Sequence, residues 1–194
     1  MNNRVMCYGD SNTYGYDPRS YLGGRYPESV RWTSLLKAEG LGIINEGENG
    51  RSIPRLDVEI KAIVQAVRQT APEVLVVMLG TNDLLQRPGL AAEICAQRMK
   101  NFLSALLTEA PAGSKVLLIT PPPVEPGTWV PDPALIQESR QLADCYETLA
   151  KDLGIHFADA GKWNVELTFD GVHFSEAGHR AFAKNILEIL RVLN

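Results

Sequence analysis

The 194 residues are 45% hydrophobic and 22% charged and carry a net charge of −4. Such a length and composition predict one globular domain over residues 1–194 with a sizeable core, and they exclude a chain dominated by disorder. The mild acidity, the scattered Lys and Arg residues and the lack of any run near the roughly 18 apolar residues of a membrane span argue against nucleic-acid and membrane partners.

The elements follow one another as short apolar runs and longer helical patterns. Arg4–Tyr8 reads as a first strand and Leu41–Ile44 as a weaker second. Leu56, Ile60, Ile63, Val64 and Val67 then share one face at helical spacing. Val74–Leu79 (VLVVML) is continuous and apolar, as expected of a strand buried on both faces. Ile94, Met99, Phe102, Leu103 and Leu106 mark the next helix, and Val116–Ile119 (VLLI) the next strand. Thr120–Asp132 (TPPPVEPGTWVPD) has no period and is rich in proline, which predicts a stiff surface segment. Asp132 before Pro133 reads as an N-cap with proline in the first turn, opening a helix with Leu135, Leu142, Tyr146, Leu149, Ala150 and Leu153 on one face. Ile155–Ala158 is a short fifth strand, and Phe182, Ile186, Leu190 and Leu193 define the last helix. This alternation predicts an α/β fold of three layers, α/β/α, around a central parallel sheet of about five strands.

In an open sheet of that kind the loops after the strands' carboxyl ends form the ligand crevice. The segments that carry chemistry fall there. Gly9-Asp10-Ser11-Asn12 follows the first strand and offers a serine hydroxyl after a glycine that allows a tight turn. Asn49-Gly50-Arg51-Ser52 follows the second and can present the Gly50 N–H. Gly80-Thr81-Asn82-Asp83 follows VLVVML and offers the Asn82 amide as an oxyanion donor. Asp170-Gly171-Val172-His173 sets a carboxylate within one turn of chain of an imidazole, where it can hold the ring's Nδ1 proton. The other two histidines are read as structural: His156 inside a buried strand, His179 on the surface of the last helix. Any one of these segments alone also suits an ordinary turn. Their joint occurrence, in this order and at successive strand ends, is what points to a serine hydrolase.

The same segments resemble a known family. GDSN, the Gly50 turn, GTND and DGVH are similar to blocks I, II, III and V of the SGNH hydrolases, also called GDSL esterases. The resemblance covers essentially the whole chain and implies a flavodoxin-like SGNH hydrolase fold. It implies Ser11 as nucleophile, Asp170 and His173 as its partners, and the Ser11 N–H, the Gly50 N–H and the Asn82 side chain as the oxyanion hole. Gly47, three residues before Gly50, competes for the block II position. Val30-Arg31-Trp32-Thr33, Val77–Asp83, Thr120-Pro121-Pro122-Pro123 and Asp159-Ala160-Gly161 are similar to the bacterial arylesterase branch, whose members include acyltransferases and perhydrolases. The chain is shorter than those arylesterases between Ser52 and Pro72 and after Asn82 and Pro123. Those insertions shape the acyl pocket and, in some members, an oligomer interface, so a homo-oligomer stays open.

The expected activity is hydrolysis of small, short-acyl esters, aryl esters among them, without a metal or organic cofactor, with acyl transfer to alcohols or peroxide left open. A thioesterase, lysophospholipase or carbohydrate deacetylase using the same site is the alternative. Asp10 and Asp83 are expected to brace the site by hydrogen bonds, and Asn12 and Trp129 to line the substrate pocket, Trp129 with core packing or an oligomer contact as equal alternatives. The chain has no G-x-S-x-G elbow, which disfavours the α/β-hydrolase fold, and no G-x-G-x-x-G or P-loop to support a nucleotide-binding module. Cys7, Cys95 and Cys145 are odd in number and widely spaced, which argues against a disulfide framework or a Cys-based zinc site. With the first motif at Gly9, no signal peptide is expected ahead of it, and the cytoplasm is the expected location.

Overall fold

The computed structural model of the chain describes residues 4–20, 22, 24–87, 89–109 and 113–193. Five strands, β1 (Arg4–Gly9), β2 (Gly42–Gly47), β3 (Val74–Met78), β4 (Lys115–Thr120) and β5 (His156–Asp159), form one sheet. It is parallel throughout, in the order β2-β1-β3-β4-β5. Among the described residues seven α-helices connect or flank the strands: α1 (Ser11–Tyr14), α2 (Trp32–Ala38), α3 (Asp57–Thr70), α4 (Thr81–Gln86), α5 (Ala92–Glu109), α6 (Pro133–Leu153) and α7 (Glu176–Leu193).

The three inner strands β1, β3 and β4 read as nearly unbroken apolar runs because both of their faces are covered, whereas the edge strands β2 and β5 carry polar residues and are only partly buried. Successive side chains point to opposite faces. Met6, Tyr8, Leu75, Val77, Val116 and Leu118 pack with the apolar stripes of α3, α5 and α6. Val5, Cys7, Val74, Val76, Leu117 and Ile119 pack with Trp32 and Leu36 of α2 and Phe182, Ile186 and Leu190 of α7. The three-layer α/β/α architecture expected from the strand–helix alternation is therefore present. Asp132 caps α6 as anticipated, its carboxylate accepting the Ala134 N–H at 2.8 Å.

Four expectations are corrected. His156 is exposed, because β5 is the edge of the sheet and only four residues long. His179 is fully buried; α7 turns it inward against Tyr26 and Phe174, with ring centroids 5.1 and 5.5 Å away. Leu56 is exposed because it precedes α3, and its N–H is taken at 2.9 Å by the Glu59 carboxylate. Ile94 is exposed as well. Met99 lies five residues on, about 140° further round at 3.6 residues per turn, and the stripe that α5 buries starts instead at Ala92 and Cys95. The short helices α1, α2 and α4 carry too few residues for a periodic signal. Among the described residues no helix is long and apolar enough to cross a membrane.

Candidate active site

Three neighbouring strands deliver the first half of the site. β1 runs between β2 and β3, so the chain leaves its carboxyl end at the point where the strand order switches direction. Ser11 stands there as the first residue of α1, behind Asp10, whose carboxylate accepts the Asn12 N–H at 2.9 Å. Gly9 permits this tight exit, since a Cβ on it would lie 2.1 Å from Thr13 Oγ1.

After β2 the chain makes a turn over Glu48–Arg51, closed by the Arg51 N–H on the Glu48 carbonyl at 3.3 Å. Gly50 takes the third position with φ +75°, where an L side chain is strained. Of the two glycines in question, Gly50 lines the cleft with Ser11. Gly47 instead ends β2 against α1, where a Cβ would meet Tyr14 N at 2.1 Å, and its own N–H goes to the Asn45 side chain at 2.9 Å. After β3, Asn82 opens onto the same cleft from α4, donating one amide hydrogen to the Arg51 carbonyl at 3.1 Å. Asp83 beside it is buried. It accepts the Ile53 N–H at 2.8 Å and pairs with Arg98 at 3.0 Å, which fixes α4 against the loop after Gly50.

The second half comes from a turn that no strand ends in. Asp170 is fully buried. Its Oδ1 accepts the Thr168 hydroxyl and the Val172 and His173 N–H groups, each at 2.9 Å. Its Oδ2 meets His173 Nδ1 at 2.7 Å, and His173 Nε2 lies 3.0 Å from Ser11 Oγ. Burial alone raises the Asp170 pKa, but the hydrogen bonds from the His173 ring and from the His173 and Val172 N–H groups outweigh it and hold the carboxyl down to about 2. Asp10 lacks so many donors. Burial pushes it up to about 6, against the Asn12 N–H and the charges of His173 and Arg51.

The proline-rich segment 120–132 is what supports this turn. Its Glu125 N–H donates to the Gly171 carbonyl at 2.9 Å and its Trp129 N–H to the Asp170 carbonyl at 3.1 Å. The approach is so close that a Cβ on Gly127 would lie 2.2 Å from the Asp170 carbonyl carbon. Trp129 meets the His173 ring edge-on at 4.9 Å, and Tyr16 lies against it at 4.7 Å.

A cleft of about 180 Å³ opens over these residues, lined by Ser11, Tyr16, Asn49, Gly50, Asn82, Trp129 and His173. Asn12, expected in that lining, is buried behind it. Its amide donates to the Val172 carbonyl at 3.1 Å and accepts the Phe174 N–H at 2.9 Å. The correction has a simple cause: position 12 lies within α1, which turns the side chain away from Ser11 and toward the backbone on either side of His173. Tyr16 and Asn49 were not anticipated as lining residues. Tyr16 follows Gly15, which ends α1 at φ +90°, and no periodic pattern announces that reversal. Among the described residues, no three His, Cys, Asp or Glu side chains gather as metal ligands.

Comparison with known proteins places this geometry in context. The profile of the GDSL-like lipase/acylhydrolase family matches residues 7–181. A GDSL lipase of Mycobacterium tuberculosis is 29% identical over 97% of this chain and 81% of its own length. A carbohydrate acetylesterase from Sinorhizobium meliloti superposes with a TM-score of 0.84 at 26% identity, covering 100% of both chains. The aryl esterase of M. smegmatis superposes with a TM-score of 0.82 at 29% identity, over 99% of this chain and 100% of its own.

Proposed function

The chain belongs to the GDSL-like lipase/acylhydrolase family and is a carboxylic ester hydrolase; from that premise we propose that it cleaves small, short-acyl esters by acyl transfer through Ser11. The observation that carries the reading is the continuous path from Asp170 Oδ2 through the His173 ring to Ser11 Oγ, with links of 2.7 and 3.0 Å. The Ser11 hydroxyl attacks the ester carbonyl carbon while its proton passes to His173 Nε2. Asp170, ionised at neutral pH, keeps the His173 Nδ1–H directed at itself and stabilises the imidazolium. The oxyanion develops toward the Ser11 N–H, the Gly50 N–H and the second amide hydrogen of Asn82. The carbon–oxygen bond to the alcohol then breaks as His173 returns the proton to the leaving oxygen. Water attacks the acyl-enzyme with His173 again as base, releasing the acid and restoring Ser11.

Acyl length follows from the walls. Tyr16 and Trp129 stand over a cleft of about 180 Å³, which favours acetyl and butyryl groups over long tails. A second reading, de-acetylation of a carbohydrate, draws on the Sinorhizobium meliloti neighbour that aligns over the full chain; it asks the same acyl group of the cleft and a different alcohol. Nitrophenyl esters of increasing acyl length, assayed beside an O-acetylated sugar, test both. The proposal expects kcat/KM to fall with acyl length. A higher kcat/KM for octanoyl than for acetyl esters would contradict it, and a preference for the acetyl sugar over nitrophenyl acetate would select the second reading.

A further inference from the structure

Arg51 points away from the cleft, yet it touches every segment that supplies an oxyanion donor. Its guanidinium donates to the Gly9 carbonyl at 2.9 Å, at the end of β1 just before Asp10 and Ser11. It also donates to the Glu46 carbonyl in β2. Its other terminal nitrogen pairs with the Glu48 carboxylate at 2.7 Å, joining the two ends of the turn that presents Gly50. Its Cζ lies over the Tyr8 ring, 4.3 Å from the ring centre. The Gly9 carbonyl takes the Glu48 N–H at 3.1 Å as well, so the turn and the end of β1 are joined from both sides. The backbone of Arg51 completes the set: its carbonyl accepts one amide hydrogen of Asn82 at 3.1 Å.

That last bond decides how Asn82 can act. A primary amide has two hydrogens. With one fixed on the Arg51 carbonyl, the other has a single direction left. The Gly50 N–H is oriented by the Glu48–Arg51 turn, and the turn by the guanidinium. We propose that Arg51 is a positioning residue that sets the Gly50 and Asn82 donors relative to the Ser11 N–H, so that all three converge on one oxygen. A Lys cannot replace it, because one ammonium cannot reach two carbonyls and a carboxylate from over the Tyr8 ring at once. The side chain borders a second cavity of about 580 Å³, lined by Tyr8, Glu46, Glu48, Arg51 and Arg55 among others and bounded on one side by Gly50. Removing it takes away the ties that the guanidinium makes from the turn to β1 and β2, and leaves the Gln86 amide on the Gly50 carbonyl and the Glu48 N–H on Gly9 to hold the turn.

The inference rests on the acyl-transfer reading of Ser11, and the test separates the two. Arg51→Ala, Asn82→Ala and the double variant are assayed on a nitrophenyl acetate, each preparation first titrated with a fluorophosphonate to count reactive Ser11. The expected result for Arg51→Ala is a loss in kcat per titrated site on the order of that from removing one donor, about 10²-fold, with KM little changed. If Arg51 acts through Asn82 and Gly50, the double variant is far less impaired than the product of the two single losses. Multiplicative losses, or a kcat per titrated site equal to the parent's, overturn the proposal. Arg51→Lys enters the same cycle should the Ala variant not fold, with the same coupling expected. Failure of the parent to titrate at Ser11 would instead remove the acyl-transfer reading itself.

Discussion

The two sides of the cleft are held by different means. Ser11, Gly50 and Asn82 stand just past the carboxyl ends of β1, β2 and β3, so the ladder that pairs Gly9 with Gly47 and with Met78 also sets their backbones. Asp170 and His173 stand in a turn with no strand beneath them. That turn is fixed by the segment 120–132, by the three donors on Asp170 Oδ1 and by the two-point grip of Asn12 on the backbone around His173. In the proposed reaction donors on the sheet side can be lost one at a time, whereas the base arm, the turn that holds the proposed base His173, is a chain of contacts in which each link depends on the next.

The largest effect is therefore expected on the base arm. Asp170→Asn keeps the size of the side chain but makes it donate where it accepted, which turns the His173 ring to the wrong tautomer. A fall in kcat on the order of 10⁴ is expected, as for the equivalent change in a serine protease. A loss below tenfold would mean that the turn holds His173 without the carboxylate. On the sheet side, Asn82→Ala removes one donor and should cost on the order of 10²–10³ in kcat with KM and thermal midpoint close to the parent. An unstable variant with full turnover per folded molecule would make Asn82 a residue of the turn and not of the chemistry.

Asn12 joins the two sides and sharpens the contrast between them. Asn12→Leu leaves the Val172 carbonyl and the Phe174 N–H buried without partners, at about 1–3 kcal/mol each, and loosens His173 relative to Ser11. Stability and kcat should fall together, the latter by about tenfold, while Asn82→Ala lowers kcat alone. Equal midpoints for Asn12→Leu and the parent would show that the base arm does not need this grip.

The smallest effect is one of pH. Burial, with the charge of Arg31, lowers the buried His179 to about 3 from 6.5, although Asp17 opposes this. A base whose folded pKa is depressed favours the fold above its unfolded pKa, so stability is lost as pH falls from 6.5 toward 3. Asp10 acts in the opposite sense. Its folded pKa is raised to about 6 from 3.8, so the penalty for burying its charge is relieved as pH falls through that window. Asp170, held at about 2, contributes fully above 3.8 and fails only below it. His179→Gln should flatten the fall in midpoint between pH 6.5 and 4, and Asp10→Asn should steepen it, by a few degrees each. Unchanged slopes would place the acid sensitivity elsewhere.

The same contrast decides what could be read from the sequence. Strand ends are visible because buried parallel strands are continuous apolar runs, and residues just past VLVVML or Arg4–Tyr8 inherit a known position. The segments around Ser11 and Asn82 were legible for that reason, whereas β2 is a partly polar edge strand and left Gly47 competing with Gly50. The Asp170–His173 pair was legible by spacing, but the contacts of 120–132 and Asn12 that hold it join residues far apart in the chain and leave no local pattern. His179 was misplaced for a related cause. An imidazole on an amphipathic helix suits solvent unless aromatic neighbours wait inside, and Tyr26 and Phe174 come from other segments. Tyr16 was missed because its place depends on the reversal at Gly15.

The central claim is that Ser11 carries the acyl group, and peptide mapping of the protein after reaction with a fluorophosphonate tests it most directly. The account predicts a single modified residue, Ser11, appearing as activity disappears, with labelling abolished in Ser11→Ala and slowed in His173→Ala. Label on another serine, or undiminished labelling of Ser11→Ala, would contradict it.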